Sequence, residues 1–284
     1  MASMRDIKRR KESVQSTGQI TKAMKLVSTV KLQKARGRAE RSKPYFDRLY
    51  ETIVQALARS GNIQHKYLTA GSSPKKAIIV ISSNRGLAGG YNSNVIKLVT
   101  RGEFKKEDVV IYNIGTKGLD AFKREGYEIK ADYSDVIESP LFSDAIHIGA
   151  DVLKAFIEGE VGEIYLAYTA FKNTVTHVPT LRQLLPVDSS IVEDAMADHT
   201  PMNYEPGEDE ALNIIIPKYL NSLIYDGLIE AVASENGARM QAMDNATNNA
   251  EEMISDLTLL YNRARQGSIT QELTEIIAGA SAIS

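Results

Sequence analysis

Histidines, paired carboxylates and a glycine-rich turn are the positions where chemistry would start in this chain, and none of them assembles into a reaction centre. The four histidines, His65, His147, His177 and His199, fall in no spacing that would hold a metal ion. Glu251 and Glu252 are adjacent and point to different faces of a helix, which does not suit paired acid-base work. Glu272 and Glu275 share a face but have no histidine or nucleophile near them in sequence. Solvated helix charge is the expectation for all four. Gly86, Gly89 and Gly90 follow an apolar run and raise a nucleotide-binding reading. The run matches neither G-x-G-x-x-G nor the phosphate loop G-x-x-x-x-G-K, and no lysine stands where it would reach a phosphate. With no cysteine in 284 residues, disulfides, thiolate metal sites and a cysteine nucleophile are excluded. No cofactor is implied.

The elements around these positions are more informative. Residues 1–60 carry a net charge of +10, residues 61–186 of +1 and residues 187–284 of −13, so a total of −2 hides strong segregation. Laying the first helical stretch against the last satisfies it most simply. From about residue 3 to 58, Ile20, Met24 and Val27, then Phe46, Leu49, Ile53 and Leu57, recur at helical spacing. A kink or break is expected near Gly37 and Pro44, and Gly61 is a plausible stop.

Between about 74 and 186 the rhythm changes. Lys76–Ile81 and Asp108–Asn113 are short, nearly continuous apolar runs of the kind that fill central parallel strands. Ile164–Tyr168 reads as a third strand. Val175–Leu184 reads as a fourth, antiparallel and toward an edge because of Pro179. Strands alternating with helices indicate a Rossmann-like α/β domain. An acidic, loop-like stretch follows from Asp188 to Glu210, and then a helical pattern with Pro217 in or near its first turns.

In that last stretch Met240, Met243, Thr247, Ala250, Ile254, Leu257, Tyr261 and Ala264 step by three and four residues, a heptad seam. One helix over 209–280 would be roughly 108 Å long at 1.5 Å per residue, too long for a globular core to cover, so it must pack along another long helix. The seam mixes Ala and Thr with Met, Leu and Tyr, so it buries little area. The fold class is therefore α/β, with a long antiparallel coiled coil of N- and C-terminal helices. Three segments are expected: an N-terminal helix over 1–60, an α/β domain with acidic loop over 61–207, and a C-terminal helix over 208–284. No stretch approaches the roughly 18 apolar residues of a membrane span.

Three motifs in order carry a resemblance to a known family. Ile20-Thr21-Lys22-Ala23-Met24-Lys25-Leu26-Val27-Ser28, Ser83-Asn84-Arg85-Gly86-Leu87-Ala88-Gly89-Gly90-Tyr91-Asn92, and the C-terminal blocks Ala238–Ala246, Tyr261–Gln266 and Ile269–Ala280 resemble the gamma subunit of bacterial F-type ATP synthases. The similarity spans essentially the whole chain. It implies a non-catalytic rotor shaft that couples ion-driven rotation of a c-ring to conformational change in the catalytic beta subunits. The implied partners are the alpha, beta and epsilon subunits and the c-ring, and the implied place is the cytoplasmic side of the cell membrane, held there peripherally. By the same resemblance, Met24, Lys25, Arg239, Arg265, Gln266, Thr270 and Glu272 meet the alpha/beta hexamer. Ile276 and Ile277, with Ala278, Ala280 and Ile283, would sit in a bearing of partner residues, since such a cluster on a lone helix would aggregate. Tyr204 and Glu205 are a candidate surface for epsilon or the c-ring.

Two other classes fit parts of the chain. A nucleic-acid binder could use Lys8, Arg9, Arg10 and Lys11 on phosphates, but an acidic segment of the same chain balances this charge and aromatic residues are scarce there. A nucleotide-dependent enzyme on the α/β domain would bind its ligand unaided, whereas a shaft has no turnover until alpha and beta are added.

Overall fold

The computed structural model describes residues 4–59, 65–187 and 207–283. Ten principal elements follow one another: α1 (Met4–Arg59), β1 (Lys76–Ile81), α2 (Tyr91–Thr100), β2 (Val109–Ile114), α3 (Thr116–Glu125), β3 (Glu128–Asp132), α4 (Phe142–Ile157), β4 (Glu163–Phe171), β5 (His177–Leu185) and α5 (Glu208–Ile283). They divide into two compact units that cut across the order of the chain. One consists of the residues up to Ser28 together with those from Met240 onward, and the other of Thr29–Arg239.

The larger unit is built on a five-stranded sheet in the order β3-β2-β1-β4-β5. β1, β2, β3 and β4 run parallel, and β5 pairs antiparallel to β4 at the edge. From β1 the chain steps outward to β2 and β3, then returns past β1 to β4. Right-handed crossovers therefore place α2 and α3 on one face and α4 on the other. On the α2/α3 face, Ile78, Val80, Val109, Ile111 and Ala167 pack with Val95, Val99 and Phe122. On the opposite face Ile79, Ile81, Tyr112, Ile114, Ile164 and Leu166 meet Ile148 and Val152 of α4, Ile53 of α1, and Ile216, Ile224 and Leu228 of α5. Cover on both faces is why β1 and β2 read as unbroken apolar runs.

β3 is the strand that the apolar runs do not announce. Its sequence, Glu-Ile-Lys-Ala-Asp, alternates exposed and half-buried positions at the sheet edge, so it carries too few apolar residues to stand out. Both prolines lie inside helices: no break falls near Gly37 and Pro44, and Pro217 follows the first turns of the last helix as expected. α1 runs unbroken through Gly37 and Pro44, and α5 begins nine residues ahead of Pro217 and continues past it. Each proline frees the carbonyl four residues earlier, on Glu40 and Asn213, and both of those residues are exposed, so water can take the lost bond.

The smaller unit is an antiparallel helix pair. Gly18 lies against Ala250, Thr21 against Thr247 and Lys25 against Asp244, so numbering rises along one helix as it falls along the other. The buried or half-buried positions of α1 here are Ile7, Lys11, Val14, Gly18, Thr21, Met24, Lys25 and Ser28. The facing α5 positions are the heptad series Met243, Thr247, Ala250, Ile254, Leu257, Tyr261 and Ala264. The α5 side of the seam thus follows the sequence reading, but the α1 side does not. Ile20 and Val27, the apolar residues that set the helical period, are 58% and 59% exposed.

Candidate partner-binding surfaces

The seam of the smaller unit is polar and narrow at its centre. The hydroxyls of Thr21 and Thr247 lie 2.8 Å apart. Each also reaches a carbonyl of its own helix, Thr21 to Gly18 at 3.0 Å and Thr247 to Met243 at 2.8 Å. Both residues are only 8% exposed, so this layer favours one register of the two helices: a slip would lose the buried bond between the hydroxyls and set them against apolar neighbours. A Cβ on Gly18 would stand 3.3 Å from that of Ala250, which shows how closely the backbones approach. One turn along, the Lys25 ammonium donates to the Asp244 carboxylate at 2.5 Å, with both side chains half exposed.

Beside this small, polar centre, several large apolar residues face outward. On α1 these are Ile20, Leu26 and Val27. On α5 they are Met253, Leu259, Leu260, Ile269, Leu273, Ile276 and Ile277, the last two 68% and 65% exposed. The pairing also runs out before α5 does. In the register just described, Met4 stands opposite the region of Ala264, and from Ile269 to Ser281 α5 is exposed throughout. Apolar surface of this extent on an exposed helix pair marks a binding surface.

Met24 and Lys25 are half-buried at the margin of the seam, while Arg265, Gln266, Thr270 and Glu272 are exposed on the stretch of α5 beyond it. Within the chain, the Thr270 hydroxyl donates to the Gln266 carbonyl at 2.9 Å and the Ser268 hydroxyl to Glu272 at 3.4 Å. Arg239 stands apart from the rest. It is 9% exposed in the larger unit, ion-paired with Glu235 at 2.6 Å, and it donates to the carbonyls of Arg85 and Gly86. Its guanidinium is therefore engaged inside the chain, where the sequence reading had set it against a partner. Tyr204 and Glu205 lie outside the described residues, as do His199 and most of the acidic loop.

The glycine-rich turn after β1 is filled by its own bonds. Asn92 accepts from the Ser83 backbone, and the Ser83 hydroxyl donates to the Arg85 carbonyl at 2.7 Å. Asn84 donates to the Ser134 carbonyl and accepts from the Thr116 backbone. The polar groups of this turn are thus spent on the chain's own residues. α5 closes the adjoining sheet face, with Gly227 set so close that a Cβ there would press on Leu166.

Among the histidines, burial lowers the pKa of His65 and of His177, whose Nε2 atoms are enclosed without a hydrogen-bond partner. His147 lies 3.8 Å from Asp151 on an exposed helix face. Among the described residues no group of three or more His, Asp or Glu side chains could hold a metal ion, and no helix is long and apolar enough to cross a membrane. Among the described carboxyls, the strongest perturbation is at Glu230 of α5. Burial first, and then Asp226, push its carboxyl up to about 7 against the Phe171 amide and Arg182, which favour the charged form.

A Rossmann-like α/β domain, with two long helices that present apolar surface, is the architecture of a subunit built into a larger assembly. The comparisons with known proteins agree. A family model described as ATP synthase matches residues 3–283. The ATP synthase gamma chain of Lachnoclostridium phytofermentans is 68% identical over 290 residues, covering 100% of both chains. That of Alkaliphilus metalliredigens is 45% identical, over 99% of this chain and 98% of its own length. The gamma chain of Acetobacterium woodii named as sodium ion specific is 41% identical over 99% of each. In fold, the chain is similar to one from the mitochondrial ATP synthase of Euglena gracilis, in an OSCP/F1/c-ring structure. That match has a TM-score of 0.71 at 20% identity and covers 99% of this chain and 94% of that one. A chain of the central stalk/c-ring structure from Tetrahymena thermophila aligns with a TM-score of 0.59 at 24% identity, over 80% of this chain and 99% of that one. This chain belongs to the family of ATP synthase gamma chains. As such it is a non-catalytic subunit of a complex whose catalysis lies elsewhere.

Proposed function

We propose that this chain is the shaft of the central stalk, turning with a c-ring on the cytoplasmic side of the membrane and driving the catalytic beta subunits through their conformations. The observation that carries this reading is the distribution of apolar residues on the helix pair: the centre of its seam is small and polar, while Ile20, Leu26, Val27, Leu259, Leu260, Ile276 and Ile277 point outward. A helix pair that turns inside a sleeve of alpha and beta subunits needs this arrangement. The sleeve covers the apolar stripe, and the polar register layer keeps the two helices from sliding under torque.

The surface is uneven as well as apolar. Ile20 and Val27 face outward on one helix while Arg265 and Gln266 occupy another sector on the other. Three equivalent catalytic subunits around such a shaft meet different faces at any one angle, so each is held in a different state, and rotation exchanges the states. Ion flow supplies about 2.3 kcal/mol per charge for each 100 mV. Met24, Lys25, Arg265, Gln266, Thr270, Glu272, Ile276 and Ile277 are the residues we assign to the alpha/beta sleeve. The Arg265 guanidinium can take a carboxylate bidentately, which suits a contact made only at certain angles. Epsilon and the c-ring then meet the α/β domain, with Tyr204 and Glu205 among the contacts.

Reconstitution tests this. The chain alone should show no ATP turnover, and added alpha and beta should restore it. Deleting the last dozen residues, or combining Arg265→Ala with Gln266→Ala, should lower ATP-driven ion pumping while the chain still folds and assembles. Coupled pumping unchanged in both variants would remove the sleeve contacts from the account.

A further inference from the structure

The loop that follows β1 is held at its two halves by different means. Its first half, Ser83–Arg85, is bound to Asn92, Ser134 and Thr116 by side-chain and backbone hydrogen bonds. Its second half carries two residues in the left-handed region, Leu87 at φ +61 and Gly89 at φ +56. Glycine adopts this conformation freely, but a leucine does so only under constraint, and Leu87 is 64% exposed with no burial to hold it there. The restraint comes from α5. Arg239 Nη2 donates to the carbonyls of Arg85 at 3.4 Å and Gly86 at 3.3 Å, and Nε donates to Gly86 at 3.4 Å.

Arg239 is itself held. Glu235, one turn earlier on α5, meets Nη2 at 2.6 Å, and the two side chains are only 10% and 12% exposed. Tyr91, which follows the loop as the first residue of α2, buries its hydroxyl beside this pair without a hydrogen-bond partner. A buried ion pair on consecutive turns of one helix fixes the guanidinium before it meets the loop, so its fork grips two successive carbonyls without further ordering.

We propose that Arg239, oriented by Glu235, is a positioning residue that clamps the 84–90 loop onto α5, so that the sheet and the helix move together where β1 ends. The clamp makes the strained turn at Leu87 a rigid feature of the α/β unit. Its part in transmitting rotation rests on the shaft reading above; its structural part does not.

Trypsin cleavage after Arg85, whose side chain is 75% exposed, reads the loop directly in the full-length chain. Arg239→Ala should speed cleavage there about tenfold or more. Arg239→Lys keeps the charge but loses the fork and should speed it a few-fold, as should Glu235→Gln. Cleavage at other sites and the melting temperature serve as the control for global loosening. If Arg239→Ala does not fold, the Lys and Gln variants carry the test. Unchanged cleavage after Arg85 in every variant that folds overturns the clamp. In the assembled complex, ions pumped per ATP hydrolysed should fall at least threefold with Arg239→Lys. A loosened loop with an unchanged ratio overturns the clamp's role in coupling. If the wild-type complex itself shows no coupled pumping, the shaft reading fails, and the proteolysis still decides the clamp.

Discussion

Replacing Glu230 by Gln should change how the stability of this protein depends on pH. Glu230 sits half-buried on α5, where its Oε2 accepts from the Phe171 amide at 3.2 Å at the end of β4. Its carboxyl is pushed from an ordinary 4.5 up to about 7, chiefly by burial and then by Asp226. At about 1.36 kcal/mol per pH unit, a rise of roughly 2.5 units corresponds to ~3.4 kcal/mol between the neutral and ionised forms. Partial access to water reduces this to about 1–2 kcal/mol. The raised value fixes the sign. Below about pH 4.5 both folded and unfolded chains are protonated and the contribution is fully present. It is lost as pH rises through about 7, because folding then holds an ionised carboxylate out of water. Gln keeps the shape and an acceptor for the Phe171 amide but cannot ionise. Urea denaturation of the full-length chain at about pH 5 and about pH 8 should show the wild type losing about 1–2 kcal/mol more than Glu230→Gln over that span. Asp226 and Glu235, whose carboxyls burial also raises, are present in both proteins and cancel to first order. Parallel pH curves for the two proteins would refute the reasoning.

Other substitutions test the packing that places the surfaces. A Cβ at Gly237 would press into the buried Nε2 edge of His177. Gly237→Ala should therefore destabilise by about 1 kcal/mol net, an overpacking cost of about 1–3 kcal/mol offset by the roughly 1 kcal/mol helix preference of Ala, as read in a thermal melt. Thr21→Val or Thr247→Val alone should each cost about 1 kcal/mol, since a buried hydroxyl loses a partner, while the double variant should cost clearly less than the sum. Additive losses in that cycle would mean that the two hydroxyls do not interact. The Lys25–Asp244 pair is half exposed, so a cycle through Lys25→Ala and Asp244→Ala should give a coupling of about 0.5 kcal/mol that fades in high salt.

The sequence made some of this legible and hid the rest for physical reasons. β1 and β2 announce themselves because both faces are covered. The heptad series on α5 is visible because a long helix must present one stripe to its neighbour. β5 was recognisable as an edge strand from Pro179, which pairs opposite Thr169 and needs no ladder bond outward. α1 misled because two of the three residues that set its apolar period, Ile20 and Val27, belong to its outer face. The centre of the inner face is made of Gly18, Thr21 and Ser28, which no hydrophobicity pattern selects. The internal contacts of Arg239 were hidden for a related reason: a charged residue in a C-terminal helix reads as surface, and only the proximity of Glu235 and of the loop carbonyls shows that it is buried and paired. A Glu and an Arg four residues apart in an otherwise small, apolar stretch, Ala231–Met240, was the available signal.

A single cross-link tests the central claim most directly. Thr21→Cys with Thr247→Cys, in a chain that has no other cysteine, places two thiols across the seam of the helix pair. In the complex with alpha and beta, oxidation should join the two helices in high yield and leave ATP hydrolysis close to the unoxidised rate, because both helices turn as one body. Failure of the bond to form, or loss of turnover once it has formed in an intact complex, would contradict the account.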